Sequence, residues 1–348
     1  MMRQVTANVV RDLAAQVGFD AAGVAGVAKV PDFDRFRDWA ERGLAGELGY
    51  LTDHRADLRG DPQALLPGVK SVICVGLVYN GPEPYSTEFT DRERAWISRY
   101  AWGEDYHGLV RAKLRAFAGK LLEIEDFQWR ACVDTAPLLE RSFARQAGLG
   151  WIGKNTCLIN QQLGSWMFLG ELLTTLELAP DSPPPDRCGS CTRCIDACPT
   201  EALVPGSGGG FELDARLCIS YFTIELRGAI PEEHRAAVGQ QVFGCDICQD
   251  VCPWNRRAAL THETVFGPGE VAPPLERLAA LSEDDFGRLF RKTPVARTKH
   301  RGFLRNVAVA MGNAGMEKFR EPLENLANSE DIEVAGHARW ALRRLTAG

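Results

Sequence analysis

No stretch of this sequence reaches the about 18 consecutive apolar residues that a membrane-spanning helix needs, so a membrane is not an expected partner. The opening residues, MMRQVTANVVRDLAAQVGFD, interleave Arg3, Arg11 and Asp12 with apolar positions. They contain no apolar h-region, twin arginine or small-residue cleavage site. That predicts a cytoplasmic protein, in the compartment where thiols stay reduced. Surplus positive charge is missing too: 40 Lys and Arg face 46 Asp and Glu, a net charge of −6. A protein that coats nucleic acid indiscriminately is excluded, while local basic patches are not.

What is present is an ordinary soluble composition, 45% hydrophobic and 25% charged over 348 residues, enough for two or three modest domains. Residues 1–180 read as mixed α and β. Helical periodicity appears near 3–17, 32–48 and 106–123, and SVICVGLVY (71–79) and WRACVDTAP (129–137) read as buried strands. The run TCLINQQLGSWMFLGELLTTLEL (156–178) reads as a strand pair joined at Gly164. PDSPPPDR (180–187) is a linker, because successive prolines cannot sit inside a helix or a central strand. A cysteine-rich segment follows over 181–260, interrupted by PGSGGG (205–210), and a polar helical region fills 261–348. There, Ala310-Met311 and Ala341-Leu342 recur at less than the ~40-residue period of HEAT-type helical pairs. Plain amphipathic helices account for them equally well.

Eleven cysteines are many, and eight fall between Cys188 and Cys252. Such clustering makes them a site rather than a scattered disulfide framework. Cys188, Cys191, Cys194 and Cys198-Pro199 spell C-x2-C-x2-C-x3-C-P. In this ferredoxin run three thiolates hold one [4Fe–4S] cube and the fourth reaches across to a second. Cys245, Cys248 and Cys252-Pro253 repeat the end of the pattern; Val242 stands where its first cysteine would be, and Cys218 is the natural replacement. The expected sets are Cys188, Cys191, Cys194 and Cys252 on one cluster, and Cys198, Cys218, Cys245 and Cys248 on the other. Paired C-x2-C suits structural zinc as well, but zinc has no use for the C-P crossover, which occurs twice. Cys74, Cys132 and Cys157 lie in apolar strand patterns and read as core.

Two clusters make an electron path, and the residues ahead of them exceed what a bare carrier requires. The reaction site is therefore expected in the N-terminal part; a carrier subunit serving a separate enzyme is the alternative. Gly148-x-Gly150-x-x-Gly153 looks like a dinucleotide fingerprint, but it follows a helical stretch and precedes a strand-like one. That is the wrong context, and Gly148 reads as a helix stop. Asp134 follows the apolar residues Ala131, Cys132 and Val133 and precedes a helix opened by Pro137. At a strand end in an α/β domain it would face a ligand crevice and, desolvated, have a raised pKa suited to proton donation. As a plain helix cap it needs no such role, and the residues alone favour the cap. Asp105-x-His107 begins like a cobalamin-binding D-x-H-x-x-G, but Val110 replaces the glycine. His107 and Tyr106 then read as structural.

With the cysteine pattern in place, further stretches become recognisable together: LGYL (48–51), ALLPGVKSV (64–72), AWGEDYH (101–107), VDTAPLLERSFARQAGLGWIGKNT (133–156), CGSCTRCIDACPTEAL (188–203), RLCISYFTIELRG (216–228) and FGCDICQDVCPWN (243–255). Along essentially its whole length the chain closely resembles the epoxyqueuosine reductase family. The resemblance implies an α+β protein with three parts: a mixed α/β cobalamin-binding domain at 1–180, a ferredoxin-type domain with two [4Fe–4S] clusters at 181–260, and an all-α HEAT-like region at 261–348. It implies a cytoplasmic monomer that reduces epoxyqueuosine to queuosine at the wobble position of tRNA, with cobalamin as cofactor and an unidentified low-potential electron donor. The cofactor carries the reductive chemistry.

Asp134 then becomes the acid that protonates the departing oxygen and touches the cofactor. Arg59, Ser98, Asn155, Leu158, Leu169, Ser220, Cys245 and Asp246 fall where the family lines its cobalamin. Ser98 stands where some relatives carry cysteine, so no thiol role passes to it. Arg291, Lys292, Arg297, Lys299, His300, Arg301 and Arg305 form a basic run without an acid among them, and Arg227 adds another positive group. Such a run suits tRNA phosphates, with Arg227, Arg297, Lys299, Arg301 and Arg305 as the expected contacts and the splayed anticodon base giving specificity. A reductive dehalogenase would share both cofactors but usually carries the twin arginine missing here. A ferredoxin-type carrier would hold clusters and no corrinoid.

Overall fold

In the computed structural model, which describes residues 4–27, 30 and 32–346, the N-terminal part is built on a four-stranded sheet. Its strand order is Ala21–Gly26, Ser71–Val78, Met167–Thr174, Trp129–Cys132. Every pairing is antiparallel, so this is not the parallel sheet of an open α/β domain. Ser71–Val78 is buried at all its positions and belongs in the middle. Ile73, Val75 and Leu77 face a core with Val10, Ala14, Val110, Leu114, Phe117 and Leu121, which come from the helices Ala7–Val17 and Tyr106–Leu122. Val72 and Cys74 face the opposite core with Cys132, Phe143, Ala144 and Leu173, where the short helix Glu140–Gln146 lies.

The predicted 3–17 helix runs from Ala7, after a Thr6 cap, and Gly18 ends it with a left-handed φ of 88°; Arg3 lies outside the described residues. The predicted 32–48 helix is shorter, Phe33–Glu41. The predicted strand pair at 156–178 pairs with itself only at the Asn160–Gly164 bridge. Leu158–Ile159 joins Trp151–Ile152, whereas Met167–Thr174 lies between two other strands. The reason is burial: Met167–Thr174 has apolar side chains on both faces, and only a central position covers both.

The proline linker is pinned rather than loose. Its Asp181 exchanges main-chain and side-chain hydrogen bonds with Val24, at 2.8 and 2.9 Å, and pairs with Arg11. Beyond it, the glycine loop closes a hairpin between Leu203–Pro205 and Phe211–Leu213. Trp96–Ile97 leaves the N-terminal part to lie parallel to Gln241–Phe243. Their core continues without a break into the helices Lys299–Ala314 and Ile332–Thr346. Asn306, fully buried, ties them together by donating to Thr223 O at 2.8 Å and Val242 O at 2.9 Å. The two small-apolar pairs meet across the interface of these helices: a Cβ on Gly312 would lie 2.8 Å from Ala341 Cα.

Candidate functional site: thiol groups and an acid cleft

All eleven cysteines are free thiols. Eight of them gather into two groups that cross in sequence. Cys194 has Cys252, Cys188 and Cys191 around it, and Cys252 has Cys188 and Cys191. Cys245 lies by Cys218 and Cys198, and Cys248 by Cys245 and Cys218. Cys248 also feels Cys194 of the other expected four. The proline after each crossing cysteine starts a new turn; after Cys252 it opens the short helical turn Pro253–Asn255. Lys154 crosses the first loop, donating to Gly189 O at 2.8 Å and Cys191 O at 3.0 Å. Cys157, read from sequence as core, lies by Cys252, Cys194 and Cys248, at the junction of both groups.

Of the residues expected to line a cofactor, Ser98, Asn155, Ser220, Cys245 and Asp246 lie by the second group. Ser98 Oγ donates to Asp246, whose other carboxyl oxygen accepts Arg99 N–H at 2.7 Å. Gly244 makes room for this pair: its φ is +71°, and a Cβ there would lie 2.5 Å from Ser98 Cβ. Asn155 Nδ2 donates to Cys248 O at 3.3 Å, and the next residue, Thr156, holds a left-handed φ of 62° that a β-branched residue seldom adopts. Ser220 precedes the helical turn Tyr221–Glu225 and reaches Cys218. Leu158 and Leu169 share the core on the Glu140 side of the sheet. Arg59 is only 6% exposed; among the described residues its guanidinium makes one hydrogen bond, to Arg55 O at 2.9 Å, and it lies over the Phe36 ring.

Asp134 sits at the mouth of this region. It follows the strand Trp129–Cys132, has a left-handed φ of 51°, and is no helix cap, because the helix opens at Glu140 with Leu139 in the cap position. Its backbone N–H is held by the Glu140 carboxylate. Its own carboxyl lies 3.1 Å from His107 Nε2, and His107 Nδ1 lies 2.5 Å from Asp105. Asp105 in turn caps the Tyr106–Leu122 helix by accepting His107 N–H at 2.9 Å.

Between two carboxylates the imidazole pKa is pushed up to about 9, by Asp105 first and Asp134 second. For Asp134 the expectation of a raised pKa is overturned. Burial does push it up, but the His107 hydrogen bond and charge, with Arg297 behind them, outweigh burial and hold it below the usual carboxylate range. The proton of the pair resides on histidine.

Arg297 pairs with Glu225 at 2.7 Å and adjoins Tyr100, Asp134 and Tyr50. It is a wall of the cleft. Burial, with Glu225 nearby, pushes the Tyr50 phenol to about 12. The Tyr106 ring stacks on Phe168 with centroids 4.0 Å apart and planes 5° from parallel. Arg305 corrects the basic-run reading outright. It is 2% exposed and donates to Phe222 O, Leu226 O at 2.9 Å and Gly228 O at 2.5 Å, so it cannot reach a phosphate. The run also finds counter-charges elsewhere in the chain, Glu225 for Arg297 and Asp331 at 4.0 Å for Arg301. His300 bonds Leu281 O at 2.7 Å. Arg291, Lys292, Lys299, Arg301 and Arg227 remain at the surface.

Sequence reasoning set His107 aside as structural and passed over Tyr50, Tyr100, Glu140, Glu171 and Glu225. Tyr50, Glu140 and His107 lie inside stretches that carried the family resemblance, and that was the available signal.

Residues 187–255 match a 4Fe-4S double cluster binding domain, and residues 59–135 match the family described as epoxyqueuosine reductase QueG, DUF1730. An epoxyqueuosine reductase of Xanthomonas campestris is 43% identical over 340 residues, covering 96% of this chain and 94% of its own. This chain belongs to the epoxyqueuosine reductase family. It is therefore an oxidoreductase, and its thiols are those of a two-[4Fe–4S] domain. The epoxyqueuosine reductase of Escherichia coli is 37% identical, covering 97% of this chain and 88% of its own.

Among solved structures, the epoxyqueuosine reductase of Streptococcus thermophilus superposes with a TM-score of 0.86 at 28% identity, over 97% of this chain and 90% of that one. Another, solved with an epoxyqueuosine-modified tRNA-Tyr stem loop, gives 0.85 at 30% identity over 97% and 89%. In a Bacillus subtilis epoxyqueuosine reductase the catalytic aspartate loop is swung out of the active site. Among the described residues no helix is long and apolar enough to cross a membrane.

Proposed function

We propose that this chain reduces epoxyqueuosine to queuosine in tRNA, with cobalamin seated between the second thiol group and Asp134. Family membership supports the reaction, and a relative bound to the modified stem loop supports tRNA as its carrier. The observation that carries the cobalamin assignment is Arg59, a largely buried residue whose guanidinium makes one hydrogen bond among the described residues. Cobalamin offers a phosphate and many amide oxygens to such a group. Ser98, Asn155, Leu158, Leu169, Ser220, Cys245, Asp246 and Asp134 would complete the cradle. Bound cobalamin, supplied with single electrons through the two clusters, provides the reducing centre.

The chain's own residues manage protons and position. Loss of one oxygen as water consumes two electrons and two protons. The proton of the pair rests on His107 and passes through Asp134, across the 3.1 Å contact, to the departing oxygen, after which His107 takes up the next one. Arg297, Tyr50 and Tyr100 bound the space beside it and would hold the epoxide end of the substrate. Lys299, Arg301 and Arg227, at the surface, take tRNA phosphates, and the helices from 261 onward form a HEAT-like support. The division at residues 180 and 260, a monomeric state, a cytoplasmic location and a separate low-potential donor complete the reading.

Anaerobic, iron-reconstituted protein given cobalamin and a strong reductant is expected to convert epoxyqueuosine tRNA to queuosine tRNA and to show corrin absorption that survives gel filtration. No retained corrin and no conversion would reject the assignment.

A further inference from the structure

Under the Asp134 loop lies a buried acid that the proton transfer above does not use. Glu171 sits in the central strand Met167–Thr174, opposite Cys74 on one neighbouring strand and Cys132 on the other. Alternation places it with Leu169 and Leu173 on the face covered by the Glu140–Gln146 helix. It is 0% exposed, and among the described residues no N–H or hydroxyl is aimed at either oxygen. What it meets is the carboxyl of Glu140, which also holds the Asp134 N–H.

Two carboxyls in contact, one of them fully buried, cannot both stay ionised. A single proton between them turns repulsion into a charge-assisted hydrogen bond. Partners decide who holds it. Glu140 already accepts a main-chain N–H and feels Arg141, so it is the carboxylate; Glu171, with no other partner, is the acid. The remaining groups around the pair are Asp134, Arg59 and Tyr106 near Glu140 and the thiols of Cys74 and Cys132 beside Glu171.

We propose that Glu171 and Glu140 form a carboxylic acid–carboxylate latch that holds the Asp134 loop in place, making both of them positioning residues for the proton donor. The loop needs such a hold, because a left-handed φ of 51° at a non-glycine residue persists only when its surroundings enforce it. Its consequence for turnover rests on Asp134 being the donor; its existence does not.

Iron-loaded protein without tRNA tests the latch in two ways. Infrared difference spectra of wild type against Glu171→Gln at neutral pH should show the carbonyl stretch of a protonated carboxyl that shifts in heavy water. Finding no such band overturns the latch, even if bulkier changes at this site prevent folding. Amide exchange across residues 133–139 should quicken about tenfold in Glu171→Leu and in Glu140→Ala, with the Ser71–Val78 strand unchanged. Glu171→Gln, whose amide donates in place of the acid, should restore protection. Equal exchange in all variants also overturns it. In turnover, Glu171→Leu should lower kcat about tenfold at unchanged KM, as a displaced donor would, and Glu171→Gln should recover most of it. A normal kcat in Glu171→Leu counts against the latch. A normal rate in Asp134→Asn would instead sink the donor reading and leave the infrared and exchange results standing.

Discussion

Seven of the eight cluster cysteines sit in two short runs, 188–198 and 245–252, whereas the acid cleft draws Tyr50, His107, Asp134, Glu140, Glu171 and Arg297 from segments scattered over most of the chain. The contrast follows from what each holds. An iron–sulfur cube has one size, so its ligands must be spaced by a fixed number of residues on one tight loop. A proton donor needs only a correct position in space, which any fold may supply from distant segments. One half of the molecule is written locally and the other is written by packing.

The sharpest way to break that contrast is to delete one member of each half. Cys248→Ala should lose about half the iron and all turnover. Asp134→Asn should keep the full iron content while its rate falls on the order of 10²-fold or more, the usual worth of a placed acid. Loss of iron in Asp134→Asn would mean that the two halves are not separable.

A finer probe is pH. The His107 imidazolium is stabilised by Asp105 and Asp134, with its pKa raised to about 9. A raised pKa on a cationic group means that its contribution is complete below the ordinary value near 6.5 and disappears as pH climbs through 9. Turnover should decline on that alkaline limb. Ring-proton NMR of His107 should follow the same curve and move to lower pH in Asp134→Asn. A His107 that titrates near its ordinary value in the wild type would dissolve the triad.

The smallest effects separate one arginine of the basic run, Arg305, from Lys299 and Arg301. Arg305→Ala should lower stability by about 3 kcal/mol, since it strips donors from buried carbonyls, and the loss can be read by chemical denaturation. Lys299→Ala and Arg301→Ala should leave stability within about 0.5 kcal/mol and weaken tRNA retention, each cutting the salt dependence by about one phosphate. A stable Arg305→Ala that fails only in tRNA binding would restore the phosphate reading of the whole run.

Legibility followed the same divide. The helix Tyr106–Leu122, the strand Ser71–Val78 and the grouping of the cysteines could be read from periodicity and spacing. Glu171 could not: one acid in the apolar run MFLGELLT gives no sign that its neighbour in space is Glu140, thirty-one positions earlier. His107 was dismissed because a histidine near a helix start is common, and its second carboxylate arrives from a strand end far along the chain. Arg305 and Lys299 look alike in sequence, and only packing shows that one is buried and the other is not.

The parallel pairing of Trp96–Ile97 with Gln241–Phe243 bears on how the molecule is born. When a ribosome has finished the central sheet, Ile97, Phe243's future partner, still has none, and the Ser98 hydroxyl awaits an aspartate 148 positions downstream. Closing so large a loop is slow, so a nascent chain carries an unfinished apolar seam until the final thiols emerge.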